Sequence, residues 1–185
     1  MRCKLVICII LLFNNINGYS QSEINYSSKI LTKELSKYSK LESIELKEIP
    51  RSDAIYYNGK FFKIINNTKD YSLSYMYVGR VNSCRAGGCS INNQHNNNDQ
   101  SEYFDYFILF DKSLSVKLVK VFNYQATHGQ EVTSAGWLRQ FIGYNGSKNL
   151  NVGKEVDAIS GATISVNGIT ADIINKIGIL KKISF

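Results

Sequence analysis

The chain lacks any long hydrophobic run. Its longest apolar stretch, "LVICIILLF" from Leu5 to Phe13, is nine residues, about half of the ~20 that a membrane-spanning helix needs. Behind Arg2 and Lys4 and ahead of "GYS", that stretch reads as the apolar region of a secretory leader, with cleavage expected after Ser20. No cysteine follows a Leu-x-Gly-type box there, so a lipid anchor has no support. Cysteine is scarce too: of four, Cys3 and Cys8 fall in the leader, leaving Cys84 and Cys89. There is no basic run either. Without the leader, twenty Lys and Arg face fifteen Asp and Glu, a net +5 scattered along the chain. That pattern suits a solvated surface and argues against nucleic acid as a partner. No internal repeat is present. An exported protein, periplasmic or extracytoplasmic, is the expectation.

At 185 residues, 44% of them hydrophobic and 20% charged, the chain suits one ordinary globular domain. Residues 21–50 read as an N-terminal helical segment, because Leu31, Leu35, Tyr38 and Leu41 recur at spacings of three and four, with Ile24 earlier on the same face. Residues 51–185 read as the main domain. In "IYYNGKFFKII", Asn58-Gly59 between two apolar runs predicts a tight hairpin. A strand from Tyr71 to Arg80 follows, then an exposed Asn-rich loop from Ser90 to Gln100. "YFDYFILFD" and "SVKLVKVFNY" predict two strands joined by a turn around Lys112 and Ser113. "SAGWLRQFIGY" mixes a helical turn with glycines. A last helix from about Val166 carries Ile169, Ile173, Ile177 and Leu180 on one face. The predicted fold class is α+β: a single domain with a mostly antiparallel sheet and an N-terminal and a C-terminal helix packed on it.

"DAISGATIS", residues 157–165, stands just before that last helix and surrounds two hydroxyls with very small side chains. Two readings stand. Ser165 or Thr163 caps the helix, with Gly161 supplying an unusual backbone angle. Alternatively, the unpaired N–H groups at the helix start bind a phosphate, and Gly161 and Ala162 let a bulky ligand come close.

"DAISGATIS" resembles the D-x-x-[ST]-G-A-T signature of the FMN-binding domain family, which includes flavin-carrying components of the sodium-pumping NADH:quinone oxidoreductase and of the related Rnf complex. The resemblance extends back through "YQATHGQEVTSAGWLRQFIGY", with a Gly-x-Glu element at Gly129 and Glu131 and W-x-x-Q-F-x-G at Trp137, Gln140, Phe141 and Gly143; it spans about Tyr124 to Asp172. It implies FMN as cofactor, joined through its phosphate to Thr163 by a flavin transferase, with Asp157, Ser160, Gly161, Ala162 and Ser165 completing the attachment signal. Glu131, Trp137 and Gln140 are implied as further cofactor-binding residues. Trp137 either stacks on the flavin or anchors the core. Glu131 and His128 either face the ring or the transferase, or lie in a surface loop.

No catalytic side chain is expected, because the flavin ring does the redox work. The implied function is electron transfer outside the cytoplasm, with membrane or extracytoplasmic redox proteins as partners: a carrier more than a stand-alone catalyst. Cys84 and Cys89 enclose four residues with two glycines. They form a structural disulfide or a redox pair. A metal site joining them to His95 and His128 matches no zinc spacing, and none is expected. A flavin-dependent thiol/disulfide reductase using Cys84 and Cys89, and a non-redox secreted binding module, are the alternatives.

Overall fold

The computed structural model describes residues 22–38, 44–50, 58–65, 73–85 and 101–184. The segment expected to be a leader, Leu41, the expected Asn-rich loop with His95, and Cys89 lie outside them, and so does any Cys84–Cys89 bond.

A helix α1, Lys29–Ser36, precedes five strands: β1 Glu45–Ile49, β2 Gly59–Ile65, β3 Tyr75–Arg85, β4 Ser101–Phe110 and β5 Val116–Tyr124. All pairings are antiparallel, in the order β1-β2-β3-β4-β5, so each strand lies beside its neighbour in sequence. Two 3₁₀ turns, Gln130–Thr133 and Arg139–Phe141, flank a one-turn helix α2, Ala135–Leu138; a 21-residue helix α3, Thr163–Ile183, ends the described chain. The fold is α+β, as expected from the order of periodicities.

Alternation along the strands sends side chains to opposite faces. Phe61, Tyr77, Phe104, Tyr106 and Ile108 meet Val166, Ile169, Ile173 and Ile177 of α3, together with Trp137 and Phe141. Phe62, Met76, Val78, Phe107 and Leu109 on the other face meet Leu31 and Leu35 of α1 and Ile24 ahead of it. α3 comes close to the sheet at Gly168, where a Cβ would stand 3.0 Å from Val81 Cγ1.

β4, β5 and their turn match the sequence expectation. The run before Asn58-Gly59 lies outside the described residues, and β2 itself is paired from Phe61 onward with other strands, Phe61 with Ile49 on one side and Tyr77 on the other. Two elements differ. The segment 21–50 holds a strand, β1, as well as a helix. Its charges, Glu45, Lys47 and Glu48, are exposed along the sheet edge, a placement that discourages further strand pairing. Finally, α3 starts at Thr163 rather than near Val166, and Val166 is already in the core.

Candidate functional site at the start of the last helix

Ala162 N–H donates to Ile159 O at 3.1 Å, closing a turn in which Gly161 has φ +80°. That region favours glycine because a Cβ crowds the backbone there. A Cβ on Gly161 would meet nothing within 4 Å, so conformation, not crowding, demands glycine here. Ala162 is 2% exposed and packs into the core. The small residues thus serve the turn and its packing; clearing room for a ligand is not their visible role.

Ala162 is also the N-cap of α3, with no side-chain capping bond. This corrects the expectation that Thr163 or Ser165 caps the helix. Thr163 is its first residue and is exposed, as are Ser160 and Gly161. The first N–H groups of a helix have no intrahelical acceptor. Among the described residues no side chain bonds to them, so the positive end of a 21-residue helix stands uncapped beside the exposed Thr163.

Trp137 and Gln140 hold the strand-like lead into this turn. Trp137 Nε1 donates to Asp157 O at 2.9 Å, and Asp157 N–H donates to Gln140 Oε1 at 2.8 Å. Gln140 Nε2 donates to Trp137 O at 3.0 Å, tying the two together. The indole is buried edge-to-face against Phe141, with centroids 5.4 Å apart. Both residues therefore act on the Asp157 main chain, leaving its carboxylate exposed.

Ser165 points the other way, into the sheet. It is 2% exposed and shares a 2.8 Å hydroxyl contact with Ser83 of β3 and a 3.3 Å contact with Tyr124 of β5. Gly129, at φ +85°, lies so near that a Cβ would come within 2.8 Å of Ser165 Oγ. Only glycine lets this loop close on the helix start, which brings the Gly-x-Glu element to the S-G-A-T turn. Tyr124 Oη donates to His128 O at 2.5 Å, fixing the same loop. Burial, above all, and the nearby Glu131 and Glu102 charges raise the Tyr124 pKa. The side chains of Glu131 and His128 are exposed.

Ser83, Tyr124, Glu102 and Thr127 escaped the sequence reading. Glu102 is 8% exposed; its Oε1 accepts from Thr127 Oγ1 at 2.7 Å, while Oε2 is buried without a partner. Period-two alternation in β4, which puts Glu102 in line with Phe104 and Tyr106, was the available signal. Among the described residues, no group of three or more His, Cys, Asp and Glu is placed to hold a metal ion.

An uncapped helix start, presented by a glycine turn next to an exposed hydroxyl on an α+β domain, is an arrangement that suits a phosphate. The model of the FMN-binding domain family matches residues 93–177, which contain β4, β5, both motif blocks and most of α3. Over this span the chain is similar to that family, and the match indicates FMN as the cofactor. No curated protein and no solved structure matches the chain. The residues present fit FMN: the open helix start and Thr163 suit its phosphate, and a buried acceptor at Glu102 is unused.

Proposed function

We propose that the protein is an exported flavoprotein that carries FMN as a phosphoester on Thr163 Oγ1 and relays electrons between extracytoplasmic or membrane redox partners. The observation that carries this reading is Thr163 itself: an exposed hydroxyl on the first residue of a helix whose N–H groups no side chain caps. The phosphate lies at the positive helix end, where a negative group gains about 0.3–1 kcal/mol when solvent-exposed. So modest a gain does not retain a cofactor in an open compartment; a covalent bond does. FMN supplies the redox chemistry once attached. The protein fixes the turn through Trp137 and Gln140 and leaves the Asp157 carboxylate and Ser160 free for recognition by a flavin transferase. Among the described residues, no helix is long and apolar enough to cross a membrane.

Intact mass of protein made together with its transferase tests the attachment. The expected increment is one FMN less one water, absent in Thr163→Ala; covalent flavin on Thr163→Ala would sink the assignment. Export is tested by amino-terminal sequencing of protein recovered outside the cytoplasm, expected to begin at Gln21.

The reductase reading has one observation in its favour. Cys84 directly follows Ser83 in β3, and Ser83 touches the α3 start. If the protein is a carrier, flavin reduction and reoxidation survive Cys84→Ser/Cys89→Ser. Loss of transfer to a disulfide acceptor, with stability unchanged, would establish the reductase instead.

A further inference from the structure

Carboxylate oxygens buried in a folded protein find a donor, so one that has none marks a place where something else belongs. Glu102 Oε2 is such an atom, and no cation pairs with Glu102 among the described residues. Its other oxygen is held by Thr127, which fixes the carboxylate's aim. Thr127 begins the loop that runs through His128 and Gly129 to Glu131, and this loop closes on Ser165. Tyr124 feels the Glu102 charge and reaches Ser165 Oγ. Glu102 therefore belongs to the same small group of side chains that surrounds the start of α3.

We propose that Glu102 is a cofactor-positioning residue whose free Oε2 accepts a hydrogen bond from a neutral O–H or N–H donor of FMN. This rests on FMN being held at the α3 start. A carboxylate repels phosphate and accepts only from donors, so Glu102 and the helix start sort the two ends of the cofactor. The phosphate goes to the exposed helix end, and a ribityl hydroxyl or the ring imide N–H goes to the buried acceptor. The two donors are alternatives of one chemistry.

The test titrates free FMN into the full chain prepared without flavin transferase, following flavin fluorescence, for wild type and Glu102→Gln. Glutamine keeps an oxygen for Thr127 but puts an NH₂ where Oε2 stood, turning acceptor into donor. The loop contact survives while the cofactor contact is lost. Binding is expected to weaken about tenfold or more, since hydrogen bonds to charged groups are the stronger kind. Equal affinity in the two proteins overturns the assignment of Glu102 alone. Absence of FMN binding by the wild type even at about 1 mM flavin, where contacts of a few kcal/mol still register, overturns the placement of the cofactor and this proposal with it. Lumiflavin, which lacks the ribityl chain, separates the donors: a Glu102→Gln effect that persists assigns the ring imide, and one that vanishes assigns a ribityl hydroxyl. Should Glu102→Gln fail to fold, Thr127→Val removes the hydroxyl that aims the carboxylate; weaker FMN binding supports the proposal and unchanged binding overturns it.

Discussion

The starts of the two longer helices, α1 and α3, on opposite faces of one sheet, are built in opposite ways. α1 begins at Ser28, whose Oγ accepts from Leu31 N–H at 3.2 Å. Its lone acid, Glu34, is held by Lys120 of β5 and Lys37 at 2.6 Å each. α3 begins at Ala162 with no side-chain cap; what fixes it lies outside the helix, in the Trp137 and Gln140 bonds to Asp157, and within its first turn, at Ser165. A capped start is finished and stable. An uncapped start steadied from outside keeps its N–H groups available, so the difference separates a helix end finished by its own cap from the one that the proposed function assigns to the phosphate.

The largest effect expected from breaking this contrast is at Trp137. Trp137→Ala removes a buried aromatic and the bond to Asp157, at a cost of ~3–5 kcal/mol, read by denaturant unfolding; flavin attachment should fall with it. Leu31→Ala on the opposite face should cost ~2–3 kcal/mol, toward the low end for a buried leucine because an eight-residue helix can shift to refill the space. Attachment should remain at wild-type level in that variant. If it fell as far as in Trp137→Ala, the two faces would not be independent and the contrast would fail. Ser28→Ala should cost about 1 kcal/mol, the usual loss for a helix cap.

pH should separate the faces as well. Lys120 first, then Lys37, lower the Glu34 pKa, so its stabilisation is complete above the ordinary carboxylate range and is lost as pH falls through the folded value. Burial first, then Asp172, raises the Tyr106 pKa well above its usual 10. That stabilisation is complete below the ordinary tyrosine value and is lost as pH rises through the raised one. Melting measured across pH should therefore show an acid limb that flattens in Glu34→Gln and an alkaline limb that flattens in Tyr106→Phe. An unchanged acid limb in Glu34→Gln would show that the α1 ion pairs do not couple to unfolding. The smallest stability effect should be that of Thr163→Ala, within about 0.5 kcal/mol for an exposed side chain outside any bond network among the described residues, although under the proposed function it removes the attachment point. A loss several times larger would mean that Thr163 serves the helix rather than the cofactor.

β4, β5 and the last helix were legible because apolar periodicity and burial coincide there. The pairing of β2 was not legible because a turn signal such as Asn58-Gly59 is local, whereas strand pairing is settled by what fills both edges: "ELKEI" takes one edge of β2 and β3 the other. β1 itself was hidden by three charges in five residues, which suit an exposed edge but read as helix surface. At the site, the S-G-A-T turn and Thr163 were visible as a motif. The work of Trp137 and Gln140 was not, since both bind the main chain of Asp157, and a main-chain atom has no letter in a sequence. Ser83 lies 82 positions from Ser165, a distance over which no pattern of spacing carries information.

The sheet's plain order, each strand beside the next, has a consequence for when the attachment point comes into being. Neighbouring antiparallel strands need only short loops to close, so the meander can assemble as the chain is made from its amino end. α3 comes after every strand, and the face that receives it is built from β3, β4 and the loop after β5. Ser165 finds Ser83, Tyr124 and Gly129 only once those elements are in place, so the helix start exists as a surface only on a finished domain. Under the proposed function, an enzyme that recognises the folded turn would then modify complete molecules and pass over partial ones, and the flavin would be a stamp of correct assembly.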